Sequence, residues 1–199
     1  MKTRLNNLNL PQSLKDFSSI DTGNITVSQW AGAVNFLFIR DHLLIIKRSE
    51  TMASHKGQLA FVGGHKKENE IEPLETALRE FNEETGLSEE LPEIIGLGHP
   101  VYTANYNIIF PVITYVDMEL NKFLESIESN GEWTEALLYP VNDLADIDKW
   151  VRGSASEYSI FFHPILKGMY HSKSGNTSES HLLWGATAQM IWKFFKNYS

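Results

Sequence analysis

The chain has 199 residues, 42% of them hydrophobic, enough for one domain with a substantial core. Its formal net charge is −8 and no Lys/Arg block stands out, so a nucleic-acid surface, which needs a basic stripe, is not expected. There are no cysteines, which excludes disulfides, thiolate zinc sites and a cysteine nucleophile.

Residues 1–27 are polar and read as an N-terminal arm with one short helical stretch at Gln12–Phe17; the domain is expected over 28–199. The opening Met-Lys-Thr-Arg-Leu-Asn-Asn lacks the apolar core of a signal peptide. The longest apolar stretch, Ile108 to Val116, is too short to span a bilayer, and the ending Lys-Asn-Tyr-Ser is not a peroxisomal address. A cytoplasmic protein without membrane contact is the expectation.

Gln29–Ile39 and Leu43–Lys47 read as two strands joined at Arg40-Asp41-His42, followed by a polar loop over Glu50–Lys56. Gln58–Phe61 reads as a short strand leading into a Gly63-Gly64 turn. A helix carrying Leu74, Ala77, Leu78 and Phe81 at i, i+3, i+4, i+7 spacing comes next, with Gly86 suited to the left-handed residue that ends it. Glu93–Thr103 and Ile108–Val116 read as long paired strands turning at 104–107. Asp117–Asn130 reads as helix or loop, ending in a loop before Glu132. Trp133–Leu138 is a predicted strand and Pro140–Ile147 a short helix with Pro in its first turn. Tyr158–His163 and His181–Trp184 are expected to pair across a polar segment, with His163 facing His181. Gly185–Asn197 is a closing helix with Ala188, Ile191, Trp192 and Phe195 as its apolar stripe. Strands mixed with helices in this way indicate an α/β arrangement.

The chemistry is concentrated in the central helix. Arg79-Glu80-Phe81-Asn82-Glu83-Glu84 carries three carboxylates within roughly a third of the helical circumference. Crowded carboxylates repel, so a cluster beside a buried stripe needs a counter-charge, and a hard divalent cation such as Mg²⁺ takes oxygen ligands. A solvated face with an Arg79–Glu83 pair is the plain alternative.

The surroundings favour the first reading. Gly64, Glu70, Arg79, Glu80, Phe81, Glu83, Glu84, Gly86 and Leu87 occupy the fixed positions of a segment that resembles the Nudix box, the diphosphate hydrolase motif G-x5-E-x7-R-E-U-x-E-E-x-G-U, where U is bulky and apolar. Eight residues rather than seven separate Glu70 from Arg79. That variation looks like one common in the coenzyme A-directed branch of the family. Leu44-Ile45-Ile46-Lys47-Arg48-Ser49, Gly57 and Phe61-Val62-Gly63-Gly64 resemble that branch's own pattern, L-L-T-x-R-S-x3-R-x3-G-x3-F-P-G-G. Ile46, Ala53 and Val62 depart from it, and Ala53 removes a cation that Lys56 or His55 would have to replace. Leu183-Trp184-Gly185-Ala186-Thr187-Ala188 looks like the start of the branch's C-terminal helix. The resemblance covers roughly residues 28–198.

The resemblance implies an α/β/α sandwich around a mixed sheet, and Mg²⁺- or Mn²⁺-dependent cleavage of the diphosphate of coenzyme A or an acyl-coenzyme A. It makes Glu80 and Glu84 metal ligands, Glu83 a third ligand or a water-orienting base, and the Gly64 carbonyl a backbone ligand. Arg79 is expected to orient a carboxylate. Glu132, with Glu135 as its weaker rival, is a distant-loop base; the alternative, ranked slightly ahead, is that both are surface carboxylates on a strand end. Arg48, Lys56 and Gly63 are assigned to the substrate phosphates, while Lys66 and Lys67 are expected to be solvated. His55 and His65 flank the glycine loop, and a structural role is expected for each. Trp30, Trp133 and Trp184 are expected in the core. The partner is a small-molecule nucleotide diphosphate, and the polar arm and long loops are compatible with a homodimer. Two rivals are a diphosphatase for ADP-ribose, nucleoside-diphosphate sugars or modified nucleoside triphosphates, and a nucleotide-binding module that does not cleave.

Overall fold

A computed structural model describes residues 30–103, 107–155, 158–165, 171–172 and 181–198; the predicted arm and its helix fall outside them. The central strands are β1 (Trp30–Ile39) and β2 (His42–Arg48), an antiparallel hairpin turned at Arg40-Asp41 with Arg40 at φ 52°. Further along lie β3 (Leu59–Ala60), β4 (Gly63–His65), helix α1 (Pro73–Thr85), β5 (Glu93–Leu97), β6 (Val101–Tyr102) and β7 (Ile108–Val116). Helix α2 (Leu120–Ser126), β8 (Trp133–Pro140), α3 (Val141–Ala145), β9 (Val151–Ala155), β10 (Tyr158–Ile165), β11 (His171–Ser172), β12 (His181–Leu183) and α4 (Gly185–Tyr198) complete the described chain.

Among the described residues the main sheet runs β11-β8-β2-β1-β7-β5, with β3 on β2, β4 on β1 and β6 on β7. It is mixed, because β1 and β7 are parallel over the whole length of β1 while the other pairs are antiparallel. A smaller sheet runs β12-β10-β9.

Alternation along the hairpin loads both faces of the sheet. Phe36, Phe38, Leu43 and Ile45 pack with Ala188, Ile191, Phe194 and Phe195 of α4. Leu37, Ile39, Leu44 and Ile46 pack with Phe81 of α1 and Phe123 and Leu124 of α2. Strands covered on both faces read as continuous apolar runs, as these do. The architecture is the α/β/α sandwich that the motif implied.

Several local expectations need correction. Gly63-Gly64 is not a turn but the start of β4, whose backbone pairs with Val34 and Ala33 of β1. Glu93–Thr103 is two strands, interrupted at Gly98-His99-Pro100, where the Gly98 N–H still donates to the Pro111 carbonyl of β7 before the ladder lapses. The segment after β7 forms α2 before the loop that carries Glu132. Strands β9 and β11 had no clear alternation to announce them. The β10–β12 hairpin exists, but His163 pairs with Leu183 and His181 with Ile165, so the two histidines are offset. In α4 it is Phe194 that is buried, with Trp192 only partly so. In α1, Ala77 and Phe81 are buried while Leu74 and Leu78 are half-buried, and Thr76, Glu84 and Thr85 share the buried side. Trp184 is 42% exposed and not a core residue, unlike Trp30 and Trp133.

Candidate active site

The site is built where α1 lies over β4. Pro73 starts the helix with its fixed φ, and the Glu75 carboxylate reaches back to accept the main-chain N–H of the capping residue Glu72 and of Ile71 just before it. Gly86, at φ 72°, ends it in the left-handed conformation, its N–H on the Asn82 carbonyl at 2.9 Å. Asn35, a polar residue inside the apolar run of β1, donates its amide to the Ala77 carbonyl at 2.7 Å and holds the helix down. No spacing rule pointed to it; the signal was a lone Asn within Val-Asn-Phe-Leu-Phe.

The two carboxylates one turn apart reach the two adjacent glycines. Glu80 lies against Gly64, where a Cβ would meet its carboxyl carbon at 2.6 Å. Glu84 accepts the Gly63 N–H at 3.4 Å. Gly63 tolerates no side chain: its φ is 154°, and a Cβ would sit 2.5 Å from the Ala33 carbonyl oxygen and the Val34 Cα.

Backbone direction changes one assignment. The Gly64 carbonyl oxygen faces Gly32 of β1, so it is turned into the sheet and away from the carboxylates. The N–H of Gly63 points the other way, to Glu84. A strand residue's N–H and C=O share one side, so Gly63 rather than Gly64 offers its polar edge to the site.

Arg79 is the hub. Its Nε donates to Glu70 at 2.6 Å, its Nη1 to Glu80 at 2.7 Å and Glu83 at 2.8 Å, and its Nη2 to the His65 carbonyl at 2.9 Å. Burial opposes its charge, and the three carboxylates more than offset that, so its pKa is raised. Glu70, 7% exposed, also takes the Thr76 hydroxyl and the Lys67 N–H. Burial raises its pKa, but the bonds from Arg79, Thr76 and Lys67 outweigh it and bring it down to about 2.

The three helix carboxylates have different environments. Glu83 is exposed and paired with Lys67 at 2.9 Å and with Arg79; those bonds, Lys67 foremost, lower its pKa. Glu80 is mostly buried, and desolvation raises its pKa despite Arg79. Glu84 is 1% exposed, and its Oε2 has no hydrogen-bond partner. Burial first, then the charges of Glu132 and Glu80, push its pKa up to about 8, against the Gly63 N–H and Arg48.

Glu132 therefore stands close enough to Glu80 and Glu84 for its charge to be felt at both. Glu135 is engaged elsewhere, with Lys47 at 2.9 Å across the β2–β8 pair and 3.7 Å from His181. Arg48 reaches the field of Glu84, and its Nε is buried with no hydrogen-bond partner. Lys56 and His55 are exposed on the outer loop, where His55 Nδ1 lies 3.1 Å from the Gln58 side-chain oxygen. His65 is exposed. Lys66 and Lys67 are not simply solvated: Lys66 sits 4.7 Å over the Trp30 ring, and Lys67 pairs with Glu83.

Among the described residues no three His, Asp or Glu side chains already stand as a metal cage. Arg79 and Lys67 hold oxygens of Glu80 and Glu83 that a cation would otherwise take. The orphaned Glu84 oxygen, the raised Glu80 beside it and the outward edge of Gly63 still form an all-oxygen donor set that fits a hard cation.

The model of the NUDIX domain matches residues 30–157, most of the described chain. The chain belongs to the Nudix family. A Nudix hydrolase 3 from Caenorhabditis elegans is 35% identical over 160 residues, covering 76% of this chain and 65% of that protein. A protein from Photorhabdus laumondii, described as uncharacterized Nudix hydrolase NudL, is 27% identical over 150 residues, 75% of this chain and 73% of that one. Among solved structures, a MutT/nudix family protein from Enterococcus faecalis aligns with a TM-score of 0.49 at 16% identity, over 92% of this chain and 64% of that one. As a Nudix domain this chain has the box on α1 and its glycines on β4, on one side of the mixed sheet. Among the described residues no helix is long and apolar enough to cross a membrane.

Proposed function

We propose that this Nudix hydrolase cleaves the diphosphate of coenzyme A or an acyl-coenzyme A, releasing adenosine 3′,5′-bisphosphate and 4′-phosphopantetheine or its acyl form. The observation that carries the hydrolytic reading is Glu84, a buried carboxylate with one unpartnered oxygen, set between Glu80, Glu132 and the Gly63 edge. Nudix hydrolases generally use divalent metals such as Mg²⁺ or Mn²⁺. Glu80, Glu84 and the Gly63 carbonyl are the groups that would hold one. When bound, such an ion neutralises the diphosphate oxygens, orients the bond and acidifies water.

The chain's own residues do the rest. Arg79 anchors Glu80 and Glu83 and ties them to Glu70, so the carboxylates keep one geometry. Glu132 is the base that takes the proton of the attacking water, Glu83 its rival. Arg48, with a buried and unpartnered Nε near Glu84, is the cation for a substrate phosphate. Lys56 is exposed, on the loop that would cover the substrate. The coenzyme A assignment rests on Arg48, Ser49, Gly57 and Phe61 standing in register with that branch's pattern.

A second reading, ADP-ribose, a nucleoside-diphosphate sugar or a modified nucleoside triphosphate, is favoured by Ala53, which is exposed and brings no cation where the pattern has Arg. A Mg²⁺-dependent panel of coenzyme A, dephospho-coenzyme A, ADP-ribose and a sugar nucleotide, with products identified, separates the two. Preferred release of adenosine 3′,5′-bisphosphate supports the first reading, and preference for ADP-ribose the second. Binding without cleavage of any substrate would leave a non-catalytic module.

A further inference from the structure

Glu84 has little of its own to hold it. Its carboxylate has one long bond, to the Gly63 N–H at 3.4 Å, and Oε2 has none. Its place is therefore set by its main chain, which lies in the last turn of α1, where a helix frays and its carbonyls lack partners. Here two of those carbonyls are taken up by one neighbouring segment. The Trp133 indole N–H donates to the Glu84 carbonyl at 2.7 Å, and the Glu128 N–H donates to the Thr85 carbonyl at 2.8 Å. The same segment carries Glu132, whose carbonyl accepts the Ser49 N–H at 2.8 Å and whose side chain and N–H bond to Asn130. Trp133 itself is buried at the first position of β8, opposite Arg48.

We infer that Trp133 is a positioning residue for the site: its indole N–H pins the end of the carboxylate helix to the segment that carries Glu132, so that Glu84, Glu132 and the Arg48 strand keep one spacing. This rests on the hydrolytic reading of Glu84. Loss of the N–H lets the last turn of α1 move, and a carboxylate held by one long bond of its own moves with it.

The test removes the donor and keeps the shape. Trp133→Phe is the simple variant; replacement of Trp133 by β-(3-benzothienyl)alanine keeps the bicyclic ring and substitutes sulfur for N–H, which guards against a packing defect. Mn²⁺ binding is read by electron paramagnetic resonance, and kcat and KM are read on the best substrate well below the melting temperature. The expected result is a loss of about 10-fold in Mn²⁺ affinity and in kcat for both variants, with KM changed less than about 2-fold. A melting temperature that falls while Mn²⁺ affinity and kcat stay at the parent level would show Trp133 to be core and overturn the inference. A parent that binds Mn²⁺ but cleaves none of the panel sinks the substrate reading alone. A parent that binds no Mn²⁺ sinks the metal reading and this inference with it.

Discussion

Gly64 and Glu80 are in direct register: the glycine's missing side chain is the space that the Glu80 carboxylate occupies. The adjacent Gly63 is crowded from the opposite side, by the backbone of Ala33 and Val34. Two neighbouring glycines are thus required for different reasons, one by the site and one by the sheet.

Substitutions should separate those reasons. Gly64→Ala meets only the end of a flexible side chain, so the protein should fold, with Glu80 displaced and turnover reduced by about 10-fold or more. Gly63→Ala meets backbone at an unfavourable φ and should lose stability outright. Circular dichroism melts and turnover on both variants check this; equal melting temperatures would contradict the placement of β4 on β1.

Glu84→Gln should lower turnover by at least about 100-fold without unfolding the protein. Mg²⁺ should raise the melting temperature of the parent and not that of the variant, since a ligand that binds only the folded state stabilises it. Turnover near the parent level at saturating Mg²⁺ would remove Glu84 from the site.

Glu70 makes a pH-dependent contribution to stability. Its folded pKa of about 2 lies below the ordinary carboxylate value of 4.5, so its stabilisation is present above 4.5 and is lost as pH falls through about 2. Glu70→Gln should cost about 1.5–3 kcal/mol near neutrality, the worth of hydrogen bonds to a charged group. The gap in melting temperature between parent and variant should hold above about pH 5 and close on acidification. A gap independent of pH would mean that the Arg79 bond is not what Glu70 provides.

Phe81 is fully buried on the sheet side of α1, among Leu37, Ile46 and Phe123. Phe81→Ala should destabilise by about 3–5 kcal/mol in chemical denaturation. An unchanged midpoint would place the helix on its wrong face.

Glu132→Gln and Glu135→Gln should differ in kind. The first should depress kcat by about 100-fold if Glu132 takes the proton. The second leaves Lys47 without its 2.9 Å partner and should lower stability, with kcat held within about 2-fold. Parity of the two kcat values would return the base to Glu83.

Much of the fold was legible because its signals are local. Continuous apolar runs marked β1, β2 and β7, and the i, i+3, i+4 stripe with Gly86 marked α1. The weak elements were those whose partners lie far away in sequence. Gly63-Gly64 has the composition of a turn, and only pairing with β1 makes it a strand. The parallel join of β1 to β7 is likewise a tertiary choice, since nothing in either strand's alternation names its neighbour.

The sequence by itself determined the family and the carboxylate helix, because spacing along one chain decides which residues share a helix face; the sheet covered on both faces was what the family resemblance implied. It placed Glu80, Glu83 and Glu84 together, and the family resemblance put Glu80 and Glu84 ahead of Glu83 as ligands, but their burial and partners were not legible. Packing gave them different environments: β4 and the Glu128–Trp133 segment close over Glu84, while Lys67 and Arg79 hold Glu83 at the surface. Burial and partnership depend on what the rest of the chain brings against a face, and that is decided only when the chain has folded.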